Sequence, residues 1–442
     1  MQKVKIGVFG AGRGQTMMRY CMLNPDAELV AICDKNQKLL DARKKQFGAK
    51  GKNVKYFTDF DTFLAESGVD AVVLANYAND HAPYAIKAME AGKHVLSEVL
   101  PVETLKEAVE LCEAVERTGK IYAYAENYCY FASTREMKRL FDNGYLGEFE
   151  YGEGEYIHNC QPSWPGLTAG GWEGHWRNVM SAFYYCTHSA GPLVHMVRKS
   201  GVRPVKVSGT EGPYNQRMKD MCAGGASVAV EMVTLSNGGI FKSIHGLGLS
   251  GNNIWYSAYG TKGRAESARE YAGYTRKAPL YCLYVNGGNT ENDALTETHK
   301  YCPKLTGRAR QFGHSGSDWY IMNNFCKRIR GEEADTVDVY EALDMYFVGH
   351  FGYLSALDGG AAQEIPDFRD KDVREKYRND TRCPDKNKAG DQLLPNNTQG
   401  GWVIGEKERE HMKWRAANPV KRGKIQKLIF EMKKYWNRGR VK

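Results

Sequence analysis

The sequence predicts an α/β protein: an N-terminal doubly wound parallel sheet, then an α/β region built on a large, open, mostly antiparallel sheet. Three observations carry that reading. The first 34 residues run strand, glycine turn, helix, strand, acid. Apolar runs and helical patterns then alternate to about residue 125. Beyond residue 145, strand-like alternation recurs in segment after segment.

Residues 4–9 form the first apolar run, which ends in Gly10-Ala11-Gly12-Arg13-Gly14-Gln15. A helical stretch follows, then a second apolar run over 29–33 that stops at Asp34. Glycines let the backbone turn tightly and approach a pyrophosphate, whose charge sits at a helix N-terminus. Asp34 lies 24 residues after Gly10, close to the ~20 expected of an acid that bonds a ribose 2′-hydroxyl. A carboxylate there repels a 2′-phosphate, so NAD(H) is expected over NADP(H). Gly10, Gly12, Arg13, Gly14, Gln15 and Asp34 are therefore candidate cofactor residues; with Gln15 in the sixth position, the strict glycine fingerprint is incomplete.

Residues 71–75 read as a buried parallel strand, 81–91 as a helix and 93–97 as the next strand. Over 104–118, Leu105, Val109, Cys112 and Val115 recur at helical spacing, and 120–124 closes the series as a strand. Such sheets bind ligands at strand C-terminal ends, here near Asn76, Glu98 and Glu126. Residues 147–158, 203–212, 226–235 and 239–249 alternate as strands of a second sheet. Between two of them, residues 159–192 are rich in Gly, Trp, Tyr and His, and a loop that long points to a site. A helix is expected over 336–358, packing back on the first domain, and residues 367–400 read as a polar, extended tail. The expected organisation is a cofactor domain over 1–125, a substrate and catalytic domain over 126–368 and a polar, basic extension over 369–442.

With 442 residues, 42% hydrophobic and 26% charged, the chain suits two globular domains. No run approaches the ~18 apolar residues of a membrane span. The first strand begins where a signal peptide would lie, which makes the cytoplasm the default location. Eleven cysteines form no CxxC pair, so neither zinc nor a disulfide framework is expected. His158, His175 and His188 share a region but no metal-ligand pattern. Much of the +9 net charge sits in residues 421–442, expected as a solvated helix with Leu428, Ile429, Met432, Tyr435 and Trp436 on its apolar face. No nucleic-acid motif accompanies it.

At this point the chain resembles the Gfo/Idh/MocA oxidoreductases, from residue 1 to the run Gln363-Glu364-Ile365-Pro366-Asp367-Phe368. That resemblance implies an NAD-binding Rossmann domain and an α/β domain whose open sheet floors the substrate site. The family's Glu-Lys-Pro mark reads Ser97-Glu98-Val99-Leu100-Pro101 here, without the lysine that assists proton transfer in typical sugar dehydrogenases. The NAD-dependent glycosidases of glycoside hydrolase family 109 also lack it. Ala125-Glu126-Asn127-Tyr128, Gly154-Glu155-Tyr156-Ile157-His158, His175-Trp176-Arg177 and Tyr185-Cys186-Thr187-His188-Ser189-Ala190-Gly191-Pro192 look like that branch, with Cys186 replacing a proline.

The resemblance implies a redox-neutral glycosidase, with N-acetylgalactosaminides as candidate substrates. Transient oxidation at sugar carbon 3 acidifies the hydrogen on carbon 2; elimination expels the group at carbon 1; water adds and the ketone is reduced again. NAD would then stay bound throughout. Tyr156 and His188 are the candidates for proton transfer, since histidine titrates near neutrality and tyrosine needs a cation or His nearby to act as a base. Glu126 and Tyr185 would bond hydroxyls or orient the bases, and Arg177, His158, His175 and Trp176 would contact substrate. Glu126 could otherwise cap a helix, and His188 could be a helix-start histidine bonded to backbone. Trp164, Trp172 and Trp176 are candidates for a stacking wall. Asn76, His81 and Glu98 join the cofactor set, although the Asn79-Asp80-His81 run also suits a helix N-cap. The alternatives are a sugar 3-dehydrogenase, keto-sugar reductase or lyase on the same site, and a non-catalytic sugar- or NAD-binding sensor. A dimer or tetramer is the expected assembly.

Overall fold

The computed structural model describes residues 3–170, 174–268, 283–287, 299–301, 307–400 and 404–418. Six strands form the first sheet: β1 (Val4–Phe9), β2 (Ala27–Cys33), β3 (Lys55–Phe57), β4 (Ala71–Leu74), β5 (His94–Ser97) and β6 (Tyr122–Tyr124). Their order is β3-β2-β1-β4-β5-β6, and every neighbouring pair is parallel. Strand order reverses between β1 and β4, which opens a crevice at their C-terminal ends. Five helices make the crossovers: α1 (Gln15–Leu23), α2 (Gln37–Phe47), α3 (Phe60–Glu66), α4 (His81–Glu90) and α5 (Leu105–Thr118). The last is defined locally at both ends. Thr104 accepts a hydrogen bond from Glu107 N, and Gly119 ends the helix in the left-handed region. Its buried face, Leu105, Ala108, Val109, Leu111 and Cys112, joins the core under the sheet.

Among the described residues, nine strands form the second sheet: β7 (Phe149–Ile157), β8 (Pro204–Glu211), β9 (Ala229–Leu235), β10 (Ile240–Gly246), β11 (Asn253–Gly260), β12 (Gly263–Ser267), β13 (Leu283–Gly287), β14 (His299–Tyr301) and β15 (Gln363–Glu364). The order is β14-β13-β12-β11-β7-β10-β9-β8-β15. Only β10 and β7 pair in parallel; the others are antiparallel. The longer helices of this half are α6 (Ala132–Asp142), α7 (Thr187–Val197), α8 (Ser317–Ile329), α9 (Val339–Leu357) and α10 (Glu406–Ala417). Helix α7 lies on β7 and β10, and α9 lies on β8 and α7 while also reaching α5 and β6. A side chain at Gly154 would come within 2.0 Å of Ser189 O, so glycine on β7 is what lets α7 settle this low.

Residues 367–400 do not extend away from the protein as their composition suggests. They form a strap. Arg374 is buried and donates to Glu116 at 2.6 and 3.0 Å, Arg378 reaches Glu113 at 2.5 Å, and Lys388 reaches Glu107 at 2.6 Å. All three acids lie on α5. Farther along, Asn397 donates to Gly224 O at 2.8 Å. The strap is held by charges more than 250 residues distant in sequence, which local composition does not reveal. The basic run at 421–442, with its expected helix, lies outside the described residues, as does Trp172. Among the described residues, no helix is long and apolar enough to cross a membrane.

Candidate active site

The glycine turn sits at the crevice between β1 and β4. Gly10 has φ +106°, and a Cβ there would lie 2.2 Å from Ala75 O; one at Gly14 would lie 2.4 Å from the Val8 side chain. A Cβ at Gly12 would meet nothing within 4 Å. Two glycines are therefore required by packing, and the space in front of the middle one is open, the division a pyrophosphate cradle needs. Gly14 stands at the N-terminus of α1. Asp34 is fixed beside the turn: its carboxylate accepts from Ala11 N and from Asn36 N, each at 2.8 Å. Gln15 donates to Gly12 O at 3.0 Å and accepts from Arg43 at 2.8 Å.

Arg13 ties the turn to the end of β5 through Glu98, 2.7 Å away. Burial pushes the Glu98 carboxyl up, against the pull of Arg13. Asn76 follows β4 and donates to Tyr77 O at 3.2 Å. His81 opens α4, where Asp80 holds the N-cap position without a side-chain capping bond. Its Nδ1 lies 2.8 Å from Leu100 O, and burial lowers its pKa to about 4, so the ring is neutral.

The second cluster forms where β6 ends and α7 begins. Glu126 Oε1 accepts from Tyr128 N at 3.1 Å and from His188 Nδ1 at 2.7 Å. The carboxylate thus both caps a helical turn and orients an imidazole, and the His188 side chain bonds a carboxylate rather than backbone. Both side chains are buried. Three tyrosine rings enclose the imidazole. Tyr128 stacks on it at 4.1 Å and 10°, while Tyr156 and Tyr185 meet it edge-on at 4.8 and 5.0 Å. Tyr256 donates to His188 O from β11. Burial pushes the Tyr156 phenol well above its ordinary range, with Arg177 pulling the other way; Tyr185 is pushed up to about 12 by the same cause.

The remaining candidates spread outward from that core. His158 Nδ1 lies 2.8 Å from Cys160 Sγ, and its ring lies parallel to Tyr156 at 6.0 Å. Trp176 lies 6.4 Å from Tyr185 at 19°, with the Arg177 guanidinium 4.1 Å above its own ring. His175 stands apart: it accepts from Arg177 N at 3.2 Å and meets Tyr77 edge-on at 4.9 Å, on the cofactor side. Burial, then Arg177 and Lys35, lowers its pKa to about 3. Trp164 is a packing residue and no stacking wall, because it is buried and donates Nε1 to Asn178 at 2.9 Å. Tyr128 stands in the run Ala125-Glu126-Asn127-Tyr128 that resembles family 109, without a role attached to it, and the signal for Tyr77 is its place after the third predicted strand.

Residues 4–126 match the family model of the Gfo/Idh/MocA oxidoreductase family, NAD-binding Rossmann fold, and residues 296–375 match that of the glycosyl hydrolase 109 C-terminal domain. Among solved structures, an oxidoreductase from Agrobacterium radiobacter, determined with NAD+, L-tartaric acid and magnesium, has a TM-score of 0.63 at 17% identity, covering 82% of this chain and 98% of that one. Scyllo-inositol dehydrogenase from Lactobacillus casei, determined with NAD(H) and scyllo-inositol, has a TM-score of 0.62 at 17% identity, covering 82% and 99%. At that identity they speak for the fold. Residues 4–126 form an NAD-binding Rossmann domain similar to that of the Gfo/Idh/MocA oxidoreductases. The chain's curated relatives carry the family 109 name: a Phocaeicola vulgatus protein is 24% identical over 88% of this chain and 83% of its own length, and a Saccharopolyspora erythraea protein 28% identical over 83% of each.

Proposed function

We propose that this protein is an NAD-dependent glycosidase that oxidises sugar carbon 3, eliminates across carbons 1 and 2, adds water and restores the hydroxyl in one turnover. The observation that carries the reading is the Glu126–His188 pair buried among three tyrosines, 2.7 Å apart, on a chain with Val99 where the resembling dehydrogenases have lysine. The family 109 relatives support it. When bound, NAD supplies a hydride acceptor and donor; the glycine turn, Asp34, Asn76, His81 and Glu98 are the residues proposed to hold it.

His188 spends Nδ1–H on Glu126, which leaves Nε2 as the nitrogen that takes a proton from the sugar. The Glu126 carboxylate stabilises the imidazolium so formed. Tyr156, kept a neutral phenol by burial, is the donor. It gives its proton to the oxygen leaving carbon 1 and recovers one from the water that adds there, while His188 holds the carbon-2 proton and returns one to that carbon. The carbon-3 hydroxyl proton passes to water on oxidation and is taken back on reduction, so the proton count closes. Tyr185, Trp176 and Arg177 border the pair and suit a grip on ring hydroxyls, with N-acetylgalactosaminides as the candidate class.

Purified enzyme with a panel of aryl glycosides and no electron acceptor tests the reading. Aglycone release without net NADH, with solvent deuterium entering carbon 2, is expected. Stoichiometric NADH with an intact glycosidic bond would overturn it in favour of a sugar oxidoreductase, the reading that the scyllo-inositol dehydrogenase likeness in fold keeps in view. We also infer a homo-oligomer, because Met232 and Ile240 are exposed on the second sheet, 43% and 40%. Light scattering of Met232→Glu and Ile240→Glu variants should show dissociation; a monomeric parent protein would sink that part.

A further inference from the structure

We propose that Lys35, Tyr77 and His175 form a clasp, drawn from both halves of the chain, that closes over the dinucleotide groove and slows the release of NAD. Lys35 follows Asp34 beyond β2, and Tyr77 follows Asn76 beyond β4. In the sheet these two strands flank β1, whose glycine turn lies between them. Strands two places apart are roughly 10 Å apart. Yet the Lys35 ammonium sits 5.1 Å from the centre of the Tyr77 ring. The two side chains therefore reach toward each other across the mouth of the turn. His175 meets the same ring edge-on at 4.9 Å from the second half of the chain.

One tyrosine ring thus takes a cation from one side of the groove and an imidazole from the opposite half. His175 is buried, and its Nδ1 accepts from Arg177 N, so the ring is anchored in its own loop. Behind it, Trp176 lies against Tyr185 and Tyr185 against His188. With the His175 ring stacked on Trp176 at 6.0 Å, the clasp is joined through three aromatic contacts to the Glu126–His188 pair. A dinucleotide cradled at Gly12 would pass beneath this contact, and its release would require the Tyr77 contacts to part. A neutral His175 keeps the arrangement free of repulsion from Lys35 and Arg177.

The inference deepens the resident-cofactor reading above, and its experiment reads bound NAD, so it stands or falls apart from the product assay. Holoenzyme is freed of unbound NAD by gel filtration, diluted, and sampled over time for NAD still bound. Tyr77→Ala is expected to release NAD about tenfold faster, since it removes both a ring pair and a cation–π contact. Tyr77→Phe should release at the parent rate, and Lys35→Ala, at an exposed position, about twofold to fivefold faster. Parent-like release from Tyr77→Ala overturns the proposal. So does equal acceleration by Tyr77→Phe, which would assign the effect to the hydroxyl. If Tyr77→Ala fails to fold, Lys35→Ala decides alone, with unchanged release counting against the clasp.

Discussion

Helix α7 carries two buried histidines seven residues apart, each on a carboxylate, and the two ends are built for opposite purposes. At the N-terminal end, His188 has one acidic partner, Glu126 at 2.7 Å, and three tyrosine rings around it. At the C-terminal end, His195 has two: Glu341 at 2.5 Å on Nδ1 and Asp335 at 3.1 Å on Nε2. Arg198 completes that end by pairing with Glu341 and Asp338, each at 2.8 Å. Two carboxylates use both nitrogens and hold the imidazolium proton through neutral pH. Burial alone would lower the His195 pKa, but Glu341 and Asp335 raise it to about 9. One carboxylate orients a ring and leaves a nitrogen to react. In the proposed mechanism, the same residue pair thus serves as a lock or as a base according to how many partners it has.

Replacing each histidine breaks this comparison most directly. His188→Ala should cut turnover by about a thousandfold, in the range for lost acid–base catalysis, with bound NAD unchanged. His195→Ala should instead cost about 2 kcal/mol of stability by leaving Glu341 Oε1 without its partner while Arg198 still holds the other oxygen, read as a lower denaturant midpoint with turnover per folded molecule kept. Equal loss of turnover in both would erase the distinction. A smaller effect, about a hundredfold, is expected for Glu126→Gln, which keeps the cap and loses the charge; its pH–rate profile should shift with it. Tyr156→Phe should lose about tenfold to a hundredfold in turnover with NAD retained, and full activity would remove Tyr156 from the chemistry.

The pH dependence of stability offers a further check. His195 is raised to about 9 from an ordinary 6.5, so its contribution is complete below pH 6.5 and disappears as pH rises through 9, up to roughly 3 kcal/mol. His81 and His175 are lowered to about 4 and about 3. The unfolded chain takes up their protons first, so stability falls as pH drops from 6.5 toward those values. Thermal melts across pH should peak near 6.5, and His195→Gln should flatten only the alkaline side. A peak unmoved by that variant would contradict the lock.

How legible these features were from sequence follows the distances involved. The strand over 4–9, the glycine turn and Asp34 fall within one short segment, and the structure places the strand at Val4–Phe9 with Asp34 against the turn. Helix periodicity likewise located α5. The strap at 367–400 read as loose because its polarity was visible and its partners, Glu107, Glu113 and Glu116, were not. Trp164 looked like a sugar platform because composition does not distinguish a buried indole from an open one.

By itself, then, the sequence determined the α/β class, the dinucleotide turn and the residue types available for chemistry, since each rests on short-range periodicity and turn stereochemistry. Only the tertiary structure decided which of those residues meet. Glu126 and His188 are 62 positions apart, and His195 and Glu341 146 apart; Tyr77, after a strand of the first sheet, reaches His175 in the loop segment of the second half. Such pairs form because burying a charge or an imidazole is costly without a partner, and the partner's identity depends on how the two sheets pack.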